Sequence, residues 1–139
     1  MLQISKDVLR RIYAHMEETY PHECCGLIIG TMKGKLRVAE TSRRCGNLNT
    51  ERAVDRYELD PQDMLAVQKE FQDGPLDIIG IYHSHPDHPS RPSQFDTDHA
   101  WPGWSYMIAS VVHGKVTGAQ SWELNESERR FDEEPMEIE

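Results

Sequence analysis

Asp77-Ile78-Ile79-Gly80-Ile81-Tyr82-His83-Ser84-His85-Pro86 is an apolar run, broken only by Gly80, that turns abruptly polar at its end. Branched apolar residues in near-continuous sequence predict a buried strand from Asp77 to Ser84. Proline then recurs from Pro86 to Pro102, which a sheet interior does not accept, so the strand must open into a loop. Four of the seven histidines fall between residues 83 and 99, and they therefore gather at a strand end. Strand residues two apart face the same side with a rise of roughly 6.6 Å, so His83 and His85 can both reach one metal ion. Asp96 can supply a third ligand if the loop folds back, leaving a fourth position open for water. Each member also has a plainer reading. A His-x-His pair can be two strand residues with ordinary hydrogen bonds. Ser93-Gln94-Phe95-Asp96 fits a capping box in which Asp96 only bonds back to the backbone, and both roles can coexist. His88 and His99 read as loop surface, and Asp98 as a helix-dipole acid.

Outward from that strand the pattern is of short elements of both kinds. Ser5 can cap a helix carrying Val8, Leu9, Ile12, Tyr13 and Met16 at three-to-four spacing, closed by Pro21. Gly26 to Thr31 reads as a strand, Lys33-Gly34-Lys35 as a turn and Leu36 to Thr41 as the returning strand. Arg43 to Arg52 reads as loop and Val54 to Leu59 as a further strand. Asp60 as cap and Pro61 at the first helical position announce a second helix, with Met64, Leu65, Val67 and Phe71 inward and Gly74 past its end. Tyr106 to Val112 and Val116 to Leu124 pair around His113-Gly114. The expected fold class is α+β, a mixed sheet with two or three helices.

Composition narrows the function classes. A chain of 139 residues, 37% apolar and 28% charged, fits one ordinary domain with a core. Fifteen basic against 24 acidic side chains give a net charge of −9, which repels nucleic acid and anionic membranes. Residues 123 to 139 carry eight acids and two bases, so the acidity concentrates in an end expected to be solvated and dispensable. The domain is therefore read as residues 1–125, with 126–139 an acidic C-terminal extension. Neither a long apolar run nor a basic-then-apolar start is present, so no membrane contact is expected and the cytoplasm is the default. Three cysteines make a disulfide framework improbable. Cys24 and Cys25 read as packing, Cys45 as a loop residue, and Trp101 and Trp104 as loop anchors in the core.

Hydrolysis at a metal needs a group that takes a proton from water and returns it to the leaving amine. Glu23 is the candidate, in Pro21-His22-Glu23-Cys24-Cys25-Gly26-Leu27-Ile28-Ile29-Gly30. It sits where a helix gives way to an apolar strand, and burial there would raise its pKa. On local sequence alone the favoured reading is a solvated acid at a helix end, since such acids far outnumber buried catalytic ones.

Taken together, Glu23 with its Cys-Cys-Gly-Leu-Ile-Ile-Gly sequel, Gly80-Ile81-Tyr82-His83-Ser84-His85-Pro86, and Pro92-Ser93 followed by Asp96 resemble the JAMM (MPN-plus) metalloproteases. That signature is a distant Glu, then His-x-His, ten residues and Asp, with Ser three before the Asp. Arg56-Tyr57-Glu58-Leu59-Asp60-Pro61 and Trp101-Pro102-Gly103-Trp104 look like the short prokaryotic members. The resemblance implies the JAB1/MPN fold, a curved mixed β-sheet flanked by helices in a layout like that of cytidine deaminases. It implies that His83, His85 and Asp96 hold Zn²⁺, that Glu23 is general base and then acid, and that Ser93 stabilises the oxyanion. It further implies cleavage of the peptide or isopeptide bond after the Gly-Gly tail of a ubiquitin-like protein, here of the sulfur-carrier kind. A non-catalytic MPN scaffold is the alternative and would lack the ligands; a nucleobase deaminase would need a Pro-Cys-x-x-Cys motif that is missing. A homodimer is the expected form of any self-association.

Overall fold

The computed structural model describes residues 1–139. Strand β1 (Leu2–Ile4) leads to Ser5, whose side chain accepts from the Val8 N–H and starts α1 (Lys6–Thr19). The stripe Val8, Leu9, Ile12 and Met16 is buried. At about 1.5–3 kcal/mol for each side chain removed from water, packing rather than propensity holds this helix. A hairpin of β2 (Cys25–Lys33) and β3 (Leu36–Cys45) follows, then α2 (Pro61–Phe71), with Asp60 as cap and Pro61 opening it. Strand β4 (Asp77–Pro86) runs to α3 (Gln94–Asp98), and β5 (Ser105–Val112), β6 (Lys115–Asn125), β7 (Arg130–Glu134) and β8 (Met136–Ile138) complete the chain.

The strands form one mixed sheet in the order β7-β6-β5-β4-β2-β3-β1-β8. The β4–β5, β1–β3 and β1–β8 pairs are parallel and the others antiparallel. Helix α1 packs on one face with Ile28, Tyr82 and Met107, while Val67 of α2 joins Leu27, Ile29 and Ile81 on the other. Two glycines of the sequence motifs are required by close approach. A Cβ on Gly26 would lie 2.2 Å from the Tyr82 ring, and one on Gly80 would lie 2.5 Å from the Ser105 carbonyl oxygen.

Several expectations are corrected. Residues 54–59 form no strand; a turn and an isolated bridge from Leu59 to Asn47 stand there. Strand β3 extends through Arg43 to Cys45, and Cys45 is buried rather than in a loop. Leu65 points outward, 51% exposed, because the buried stripe of α2 runs through Met64, Val67 and Phe71. Trp104 packs on the core, but Trp101 is exposed. Residues 126–139 are mostly exposed, but they are not an appendage: β7 pairs with β6, β8 pairs with β1, and Glu134 is buried. Since only Pro135 separates these two strands, the sheet must curl until its opposite edges meet.

Candidate metal centre

His83 and His85 leave β4 on the face that carries α2, side by side as their spacing requires. Their Nε2 atoms lie 3.2 Å apart. Asp96 arrives from α3, where Ser93 caps the helix: Ser93 Oγ accepts from the Asp96 N–H at 3.0 Å, and Asp96 Oδ2 accepts from the Ser93 N–H at 2.9 Å. The same Oδ2 lies 3.0 Å from His85 Nε2 and 3.3 Å from His83 Nε2. The capping box and the cluster therefore coexist.

These three atoms make a triangle with sides of 3.0 to 3.3 Å. A tetrahedral zinc with bonds of about 2.0–2.1 Å sets its ligand atoms roughly 3.3 Å apart, so the donor set fits zinc in kind and in spacing. The outer contacts point the same way. His85 Nδ1 meets the Pro89 carbonyl oxygen at 2.8 Å; donating its proton there frees Nε2 as a lone pair. The Tyr57 ring stacks on His83 at 4.3 Å and 24° and holds its plane. Burial pushes the His83 pKa down, favouring the neutral, ligating form. Burial alone would raise the Asp96 carboxyl, but the charge and hydrogen bonds of His83 and His85 and the Ser93 N–H outweigh it and hold Asp96 well below its usual range.

Glu23 joins them from a distant part of the chain. In the β2–β4 ladder Cys25 stands opposite His83, which carries the residues just before β2 to the histidine end of β4. Glu23, His83 and His85 each offer a ligand-type atom within 4.8 Å of the others. Glu23 is only 3% exposed, and its Oε1 is buried with no hydrogen-bond partner. Burial pushes its pKa up to about 8, against the attraction of His85. A buried carboxyl oxygen with no protein partner, set beside candidate ligand atoms and with a raised pKa, is suited to taking up and giving back a proton.

Asn47 carries no signal in the sequence, and Tyr57 stands out only within the stretch Arg56 to Pro61, yet both build this site. The Asn47 amide donates to the carbonyls of Glu23 at 3.2 Å and Arg56 at 3.1 Å. Its Oδ1 accepts from the N–H groups of Asn49 and Glu58, both at 2.9 Å. Four bonds use the whole capacity of the side chain, so one residue ties loop 47–58 to the backbone of Glu23. The Glu23 N–H is in turn bound by the Ala53 carbonyl. His88 and His99 are exposed, as expected; Asp98 is exposed too, but it ends α3, where an acid opposes the helix dipole instead of favouring it.

A curled mixed sheet with a His-x-His strand end, a capped aspartate and a buried glutamate defines a JAB1/MPN-type domain. A JAB1/MPN domain protein from Archaeoglobus fulgidus superimposes with a TM-score of 0.59 at 16% identity, over 98% of this chain and 97% of that one. The chain belongs to the prokaryotic JAB family, whose model, described as prokaryotic homologs of the JAB domain, matches residues 5–125. A protein named desampylase from Haloferax volcanii is 32% identical over 126 residues, covering 87% of each chain. The solution structure of a protein from Desulfitobacterium hafniense matches with a TM-score of 0.87 and 28% identity, over 100% of this chain and 93% of that one. No helix is long and apolar enough to cross a membrane.

Proposed function

We propose that this protein is a zinc-dependent metallopeptidase. Its substrate is the peptide or isopeptide bond after the C-terminal Gly-Gly of a ubiquitin-like protein of the sulfur-carrier kind. The carrying observation is the convergence of His83 Nε2, His85 Nε2 and Asp96 Oδ2 beside the orphaned, buried oxygen of Glu23. His83, His85 and Asp96 would hold the metal. When bound, zinc supplies Lewis-acid polarisation of the scissile carbonyl and brings the pKa of water to about 7. Glu23 takes a proton from the attacking water, whose oxygen bonds to the carbonyl carbon, and delivers it to the leaving nitrogen as the C–N bond breaks. The Ser93 hydroxyl, whose oxygen accepts from the Asp96 N–H, keeps its own proton to donate to the developing oxyanion. Support for the substrate comes from the desampylase relative, whose name marks it as acting on a ubiquitin-like modifier.

Elemental analysis together with intact-mass assays on Gly-Gly-tailed sulfur-carrier fusions tests the reading. The purified protein should hold about one zinc per chain. Glu23→Gln should keep that zinc and lose cleavage. Turnover by Glu23→Gln at the wild-type rate would remove Glu23 from the mechanism, and protein free of zinc yet active would remove the metal.

A further inference from the structure

The cleft in front of Glu23 and His85 has a volume of about 460 Å³ and a charge opposite to that of the molecule. Arg52, Arg56 and Arg91 line it, and besides Glu23 the one acid on its walls is Asp55. Three guanidinium groups thus share the cleft with two carboxylates in a chain of net charge −9. Asp55 is already engaged by Arg52. Arg56 and Arg91 have no ion-pair partner, as is also true of Arg11 and Arg129, while the other six arginines are paired.

Arg56 makes no ion pair, although Asp55 is near enough to feel its charge. The Arg56 Cζ lies over the Phe95 ring, 4.6 Å from the centre, a cation–π contact, and no hydrogen bond or ion pair within the protein uses its N–H edge. Phe95 immediately precedes Asp96, so this free edge is fixed to the same short helix as a candidate ligand. Arg91 stands exposed on the loop before Ser93. A planar N–H fork held on an aromatic face matches a carboxylate through two parallel hydrogen bonds.

We propose that Arg56 and Arg91 form a subsite that binds a substrate carboxylate beside the bond to be cut. The subsite deepens the function proposed above and, for the position of that bond, rests on it. Two sources share the chemistry: the free α-carboxylate of a short leaving group, and an acidic side chain flanking the bond on a larger partner.

Binding tests the subsite apart from catalysis. Chemical-shift titration of the zinc-loaded protein with N-acetylglycine and with N-acetylglycinamide, which lacks the charge, should show preference for the acid. That preference should fall about tenfold or more in Arg56→Gln/Arg91→Gln, with zinc content unchanged, and partly in Arg91→Gln alone. Arg56→Lys keeps the charge but not the fork and should fall between. Equal preference for the acid in all variants, or none in wild type, overturns the subsite.

Kinetics then separates the sources. Gly-Gly-tailed fusions ending in one further residue as free acid or as amide test the leaving group. Fusions with acidic or neutral residues before the Gly-Gly test the partner. Dependence of kcat/KM on either carboxylate, lost in the double variant, supports the subsite and names its source; independence from both overturns it. If wild type cleaves no fusion while the arginine variants still lose carboxylate binding, the peptidase reading fails and the subsite stands.

Discussion

Ser93 serves two hydrogen-bond functions with one side chain. Its oxygen accepts from the Asp96 N–H while its backbone N–H is bound by Asp96 Oδ2, the oxygen nearest both histidines. Removing the hydroxyl therefore takes away both a cap, worth about 1 kcal/mol, and an oxyanion donor, worth about 10²–10³ in kcat. Ser93→Ala should lose activity by that larger factor with KM and zinc content nearly unchanged. Zinc loss in parallel with activity would show instead that Ser93 acts by orienting Asp96. Strand period and a returning loop make His83, His85 and Asp96 candidate ligands, and the capping pattern marks Ser93 as a cap, while its oxyanion role comes only with the family resemblance. Glu23 is raised as a candidate by its place before an apolar strand, but only the family resemblance lifts it above the reading as a solvated acid. Its approach depends on Cys25 standing opposite His83 across two strands distant in sequence, a register that no local pattern encodes.

Elements of usual length follow their sequence signals, and the short ones escape them. Three residues of β1 or β8 hold no period to read. The missing strand at 54–59 has a definite cause: the Asn47 side chain satisfies the Arg56 carbonyl and the Glu58 N–H that a neighbouring strand would otherwise bind. At this scale α1 is joined to β4 by His15, whose Nδ1 lies 2.7 Å from the Tyr82 hydroxyl. Burial pushes the His15 pKa from 6.5 down to about 4, with Arg44 of β3 adding to the effect and Glu18 opposing it. The folded state thus binds fewer protons here than the unfolded chain between those two values. His15 contributes stability that is present above about 6.5 and is lost as pH falls toward about 4. Urea unfolding across this range should show a shallower acid-side decline for His15→Gln than for wild type. Parallel declines in the two proteins would rule out His15 as a source of the slope.

For the molecule as a whole, the acidity of residues 126–139 masks their role in closing the sheet. Composition describes them correctly as polar, but a closing strand needs only backbone bonds and a few well-placed contacts. The Leu2 N–H is bound by the Pro135 carbonyl at 3.0 Å, and the Glu139 N–H by that of Ile4 at 3.0 Å. Arg37 of β3 reaches across the curl to Glu123 of β6 at 2.8 Å and Glu134 of β7 at 3.4 Å. Glu134 also accepts from the hydroxyls of Ser105 and Ser121 and meets the terminal ammonium of Met1 at 3.1 Å. Truncation after Asn125 would strip β6 and β1 of their outer partners and leave the buried Arg37 with Glu123 as its one carboxylate, beside Ser105 and the Gly103 carbonyl. Breaking one partner from a buried pair costs about 3–5 kcal/mol, a large share of the roughly 5–15 kcal/mol that stabilises a typical domain. The truncated chain should therefore lose its cooperative thermal transition or melt far below wild type. Glu134→Gln, which keeps every strand and removes only the charge, should melt in between. A truncated protein with the wild-type Tm would show that the sheet is complete without its last two strands, and that the curl is imposed by β1 to β6 alone.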